Sequence, residues 1–177
     1  MSLATNTTGV SNVAVGKSAL SKNTLADNNV AVGSQSLFNN TTGDDNTAIG
    51  RSALYTNIIG NRNTAVGESA LNRNTGHDNT ALGQDALYYN SSGGNNTANG
   101  QQALFRNTTG SNNVATGKYA LNLNNTGYAN TATGAYALQD NTTGFYNTAN
   151  GHFVLNNNTT GNTNSANGRS ALFNNTT

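Results

Sequence analysis

A 17-residue motif recurs ten times in unbroken succession along the chain. Counted from its first Asn it reads N-T-A-x-G-x-x-A-L-x-x-N-T-T-G-x-x, and the units begin at Asn12, Asn29, Asn46, Asn63, Asn79, Asn96, Asn113, Asn130, Asn147 and Asn164. Every unit has Ala at position 3, Gly at 5, Leu at 9 and Asn at 12; only the fourth is one residue short, in the turn Asn74-Thr75-Gly76. Residues 1–11 read as a partial N-terminal repeat and 12–177 as the ten tandem units of one domain. Strict columns at so short a period are the signature of a stacked solenoid, and a helical solenoid needs about 33 residues or more per unit. The expected fold is therefore all-β: a β-solenoid, of β-roll or β-helix type, with ten 17-residue coils.

The local signals divide each coil. Val13-Ala14-Val15 and Thr47-Ala48-Ile49 suit a short strand of alternating faces. A second candidate strand runs through the Ala-Leu pair, as in Ser52-Ala53-Leu54-Tyr55. Gly at position 5 and the Asn-Thr-Thr-Gly segment are assigned to the corners, because Gly and Asn accept a positive φ. At about 4.8 Å per coil the ten units make a rod about 48 Å long.

One Leu and two Ala per coil make a thin core, so stacked columns must carry the stability. The structural ladders are Leu20, Leu37, Leu54, Leu71, Leu87, Leu104, Leu121, Leu138, Leu155 and Leu172 on the apolar side. Amide ladders through Asn57, Asn74, Asn90 and Asn107 accompany them, because a buried Asn without partners costs about 1–3 kcal/mol. Position 4 changes along the rod. It is Val15, Val32, Ile49, Val66 and Leu82, then Asn99, Thr116, Thr133, Asn150 and Asn167, so the character of the chain shifts near residue 96. This column faces the core, a neighbouring chain or solvent.

Composition removes several function classes. Asn supplies 36 of 177 residues and Cys is absent, which excludes a disulfide framework and a thiolate site. A net charge of +1 is no field for a phosphate backbone, so no nucleic acid is expected as partner. The start Met1-Ser2-Leu3-Ala4-Thr5 has no signal-peptide pattern, and no stretch approaches the ~18 apolar residues of a membrane span. The same low hydrophobicity would suit a disordered polar tract, but the period argues against that.

Asn12-Val13-Ala14-Val15-Gly16, Asn29-Val30-Ala31-Val32-Gly33 and Asn46-Thr47-Ala48-Ile49-Gly50 resemble the head repeats of trimeric autotransporter adhesins. The longer unit with Ala-Leu and Asn-Thr-Thr-Gly is similar to the 17-residue arrays of phage tail-fibre-like and fibre-like bacterial surface proteins. The likeness runs from Gly9 to the last residue. It implies a parallel homotrimer with a structural or adhesive role, as an extracellular, cell-surface or virion fibre. The chain departs from the adhesin pattern in unit length and in its polar position 4, and it shows no stalk, anchor or chaperone domain.

Chemical motifs are few. Gly16-Lys17-Ser18 matches the end of a phosphate-binding loop, but Ser11 stands where the first Gly belongs, and a repeat corner is the better reading. His77 and His152 fall at unlike repeat positions, and Asp44, Asp45, Asp78 and Asp85 read as solvated turn carboxylates, so no metal site, cofactor or catalytic residue is expected. The Asn-x-Thr triplets, such as Asn40-Thr41-Thr42, are by-products of the turn. Tyr119, Tyr136 and Phe153, with Tyr128, Phe145 and Tyr146 nearby, are the candidate glycan or interface contacts. The expected partners are copies of the chain itself, as a homotrimer or a head-to-tail filament, and a surface glycan or receptor. The alternative function is ice binding by regular Thr columns; against it, pairs such as Thr41-Thr42 and Thr142-Thr143 sit in a Gly-terminated turn.

Overall fold

In a computed structural model describing residues 1–177, the only regular elements are ten three-residue strands. They are β1 (Val13–Val15), β2 (Val30–Val32), β3 (Thr47–Ile49), β4 (Thr64–Val66), β5 (Thr80–Leu82), β6 (Thr97–Asn99), β7 (Val114–Thr116), β8 (Thr131–Thr133), β9 (Thr148–Asn150) and β10 (Ser165–Asn167). Each covers positions 2–4 of its unit and pairs in parallel with the next, in chain order and without offset: Ala14 lies beside Ala31, and Ala48 beside Ala65. The molecule is a parallel β-solenoid. The missing residue of the fourth unit leaves this register intact, since Ala65 still pairs with Ala81.

Successive side chains of a strand point to opposite faces, so the central Ala and its two flanking residues separate. The Ala column from Ala31 to Ala149 is fully buried, while Val15, Ile49 and Leu82 are exposed. Position 4 therefore faces outward in both halves. The interior holds Leu of position 9, Ala of positions 3 and 8, and Val154. The Ala of position 3 and the Ala, Ser or Val of position 8 leave room for one Leu between them.

The second strand expected at Ser52–Tyr55 is absent, and those residues form a turn. The cause is the backbone of the Leu column. Leu54 has φ 51° and Ser52 φ 57°, and the same pair of left-handed residues recurs in every coil. Two such residues, with Ala between them, curl the chain inward and deliver the Leu to the axis, which an extended segment would not do. A left-handed L-residue costs roughly 1–2 kcal/mol. Axial bonding offsets this: the Leu54 N–H donates to the Ala70 carbonyl at 3.0 Å, and the Leu37 N–H to Ala53 at 2.8 Å. Of 111 backbone hydrogen bonds, 93 lie outside the strands, so the turns hold the coils together more than the sheet does.

The corners also differ from expectation. Gly at position 5 does take a positive φ, from 110° to 139°, but Gly at position 15 does not, and the remaining left-handed site is position 17. Position 15 is Gly in every unit that reaches it except the first, which has Ala26, and its glycines are short of space rather than strained. A Cβ on Gly43 would lie 2.4 Å from the Gly60 carbonyl oxygen of the next coil.

Position 17 offers a test. It is occupied by Asn28, Asp45, Asp78, Asn95 and Asn112, types that tolerate the left-handed region, but by Arg62, Ala129 (φ 53°), Tyr146 and Thr163 in the third, seventh, eighth and ninth units. Ala129→Asn is expected to raise stability by up to about 1 kcal/mol, measured by chemical denaturation; a loss would mean that Ala129 is held there by contacts other than its backbone.

Candidate binding surfaces

The polar interior is closed to ligands. Each Asn of position 12 donates from Nδ2 to the Oδ1 of its counterpart one coil before: Asn57 to Asn40 (3.0 Å), Asn74 to Asn57 (3.2 Å), Asn90 to Asn74 and Asn107 to Asn90 (both 2.7 Å). The Asn of position 1 forms a second ladder, in which the Asn46 backbone N–H (3.0 Å) and Nδ2 (3.1 Å) both reach Asn29 Oδ1. The carbonyl of position 15 ties the two together. Gly60 accepts from Asn57 and from Asn46, each at 2.8 Å. Asn164 Nδ2 is the single buried side-chain polar atom without a partner. The ladders are scaffold, and any candidate contact surface lies on the outside of the rod.

One axial device has no sequence signature as strict as the Asn columns. At position 16, side-chain acceptors take the backbone N–H of the coil before: Asp27 that of Val10 (2.7 Å), Asp44 that of Asp27 (2.8 Å), Asn61 that of Asp44 (2.8 Å) and His77 Nδ1 that of Asn61 (3.1 Å). Several residue types can accept such a bond, which hides the column in the sequence. His152 packs on the ring of Phe153 at 4.2 Å. Arg62 donates from Nε (2.6 Å) to Asp78; that hydrogen bond, more than charge alone, holds the Asp78 carboxyl below its ordinary range. Arg51 pairs likewise with Glu68. No group of three or more His, Cys, Asp or Glu is placed to hold a metal ion, and no helix is long and apolar enough to cross a membrane.

Three surfaces remain. The first is the outer face of the sheet, built from positions 2 and 4. Its N-terminal half is an apolar stripe: Val13 is 48% exposed, Val15 58%, Ile49 40% and Leu82 37%. Its C-terminal half is polar apart from Val114, with Thr97, Asn99, Thr116, Thr131, Thr133, Thr148 and Asn150.

The second surface holds the aromatic residues singled out above, in two groups. At position 7, Tyr119 stacks on Tyr136 at 5.3 Å and Tyr136 on Phe153 at 4.8 Å. At positions 16 and 17, Tyr128 stacks on Phe145 at 4.9 Å, and Tyr146 meets the edges of both. Equivalent positions lie one coil apart, so aromatic residues in one column meet face to face. These columns bring rings together but place no free charge between them, apart from Lys118 over Tyr119.

The third surface was not apparent from the sequence. Positions 10, 11 and 13 of the fourth to eighth units line an open groove of about 790 Å³, with Arg73, Tyr89, Phe105, Arg106 and Leu123 on its floor and sides. Ser91, Thr108, Asn125 and Thr142 complete it.

The fold and these surfaces define a β-solenoid with no enclosed cleft. No family of known proteins, no curated protein and no solved structure matches the chain.

Proposed function

We propose that the chain is a self-associating segment of a fibre, structural or adhesive, of the kind found in phage tail fibres and bacterial surface filaments. It works by shape and surface and carries no catalysis. The observation supporting this is the apolar stripe Val13, Val15, Val30, Val32, Ile49, Val66 and Leu82 on the outer face of the sheet. Contiguous apolar surface on a rigid face marks an interaction site. A parallel homotrimer, which the resemblance to adhesin heads implies, would bury this stripe on three copies and thicken a core that has one Leu per coil. Such a particle belongs outside the cell, on a cell surface or on a virion.

Sedimentation equilibrium tests the reading. The expected mass is three times the 18.2 kDa of the chain, and the Val32→Asp, Ile49→Asp double variant, which alters only outward side chains, is expected to run as a monomer with unchanged β-structure. A wild-type monomer at high concentration would overturn it.

Ice binding remains as a second reading, on a different face from the one first considered. The turn threonines use their hydroxyls for stacking, as Thr142 Oγ1 donates to the Thr159 carbonyl at 2.9 Å and Thr108 Oγ1 to that of Asn125 at 3.0 Å. By contrast Thr97, Thr131, Thr133 and Thr148 stand on the outer sheet face with hydroxyls that make no protein hydrogen bond. Parallel one-to-one strands set Thr131 beside Thr148 and Thr116 beside Thr133 about 4.8 Å apart, a short patch of hydroxyls that can order water. Freezing-point hysteresis decides: a measurable gap abolished by Thr131→Leu with Thr133→Leu would favour this reading, and no gap would dismiss it.

A further inference from the structure

The structure assigns a second recognition site, distinct from the aromatic columns and from the sheet face: we infer that the groove between Arg73 and Thr142 binds an acidic saccharide, held by its carboxylate and by the faces of its rings. This deepens the adhesive part of the proposed function and rests on that reading for its biological meaning, while the binding itself is measurable on the chain alone.

Charge comes first. The chain has few charged residues, and two of its arginines face this one groove. Arg51 and Arg62 are each paired with a carboxylate, whereas Arg73 and Arg106 have none. Arg73 lies over the Tyr89 ring, 5.2 Å from its centroid, and the Arg106 guanidinium has no side-chain acceptor in the protein. Both occupy position 11, two coils apart, which separates their columns by about 10 Å. Exposed guanidinium groups are built to take a carboxylate by paired N–H donors.

Aromatic and polar groups set the rest of the ligand's chemistry. Tyr89 is edge-on to Phe105 (5.2 Å, 86°) and tilted against Tyr88 (4.6 Å, 64°), so the cluster fixes two ring faces at right angles. Aromatic faces pack against the C–H faces of sugar rings. The hydroxyls of Ser91, Thr108 and Thr142 already donate to the Thr108, Asn125 and Thr159 carbonyls. Their lone pairs remain as acceptors toward the groove, and these suit the hydroxyl hydrogens of a sugar, not a second anion. The groove runs along the rod over five coils, about 20 Å, and its floor repeats at an interval comparable with the rise of an extended pyranose chain. An oligosaccharide lying along the axis fits this shape. The carboxylate belongs at the Arg73–Arg106 end, because position 11 continues through Leu123 to the acidic Asp140, which disfavours a second carboxylate there.

A carboxylated sugar comes either from uronate polymers or from terminal sialic acid, and the experiment separates the two. Calorimetric titration of the full chain with tri-galacturonic acid, its methyl ester and sialyllactose is expected to show binding of at least one of the acids, weakened by salt. Esterification of the uronate, or loss of the sialyl group, is expected to weaken that binding about tenfold or more. Arg106→Gln and Arg73→Gln, exposed changes that leave the fold intact, should each reproduce much of this loss, and Tyr89→Ala should abolish binding. Tyr119→Ala, on the other aromatic column, should leave it unchanged. The proposal falls if neither acid binds, if the neutral forms bind equally well, or if Tyr119→Ala removes binding while Tyr89→Ala does not. The monomeric Val32→Asp, Ile49→Asp variant keeps the two readings apart: failure of the trimer leaves groove binding in place, and failure of groove binding leaves the trimer in place.

Discussion

Leu87→Asp is expected to abolish the folded rod at its centre, seen as loss of the cooperative thermal transition in the far ultraviolet. Leu87 is fully buried, in column with Leu71 and Leu104 and enclosed by Ala81 and Ala86. Truncating such a side chain to Ala costs about 2–5 kcal/mol from lost transfer and cavity terms. A carboxylate adds a desolvation penalty of several kcal/mol, with no cation in the core to offset it. Together these match or exceed the roughly 5–15 kcal/mol that holds a typical domain folded. Because each coil of a solenoid contacts only its neighbours, the damage should centre on the fourth to sixth units, and amide hydrogen exchange should show protection lost there first. Leu172→Asp is the control. Leu172 is 50% exposed in the same column, so its carboxylate stays hydrated and the change should cost less than about 1 kcal/mol. Similar melting of Leu87→Asp and wild type would refute the structural role of the Leu column.

The Leu and Asn ladders were legible in the sequence because each rests on one residue type whose chemistry leaves a single solution: a Leu in every coil must be buried, and an Asn in every coil must be bonded. The route of the backbone between them was not legible. Ser52-Ala53-Leu54-Tyr55 has the composition of a strand, yet Leu54 sits at φ 51°, because hydrogen bonds to the adjacent coil decide the conformation and those lie 17 residues away in sequence. Gly43 and Gly50 look equivalent as corner glycines, but the first is there for space alone, whereas the second is short of space and also has a φ of 131°. Position 4 could not be oriented from Val15 or Asn167 alone; that needed the alternation about the buried Ala column. The groove was hidden for a similar reason. Arg73, Tyr89 and Arg106 occupy one variable position, 11, and variable positions show no pattern when units are read one at a time. Their adjacency exists only after the coils are stacked.

Gly67→Ala is expected to be a strongly damaging methyl addition on the surface of the rod, costing about 2–6 kcal/mol, and Gly168→Ala separates its two causes. Gly67 has φ 134° and would place a Cβ 2.6 Å from the oxygen and 2.7 Å from the carbon of the Gly83 carbonyl, with the Gln84 nitrogen at 3.2 Å. All three are backbone atoms, so no side chain can swing aside. Relief requires the fourth and fifth coils to move apart, which stretches the 2.8 Å bond from the Gly83 N–H to the Val66 carbonyl. Position 15 accepts Ala26 in the first unit, whereas position 5 is Gly in all ten. Gly168 shares the backbone problem, with φ 110°, but a Cβ there meets nothing within 4 Å. Its substitution should therefore show strain alone, about 1–3 kcal/mol, and the excess for Gly67→Ala, about 1–3 kcal/mol for overpacking, measures how rigidly one coil sits on the next. Hydrogen exchange at the amides of each altered coil reads both values locally, which matters because the tenth coil is stacked on one side only and can open without unfolding the rod. Equal losses at the two sites would mean that the coils separate freely at the position 5 corner, and that the axial hydrogen bonds of the turns are weaker than their geometry indicates.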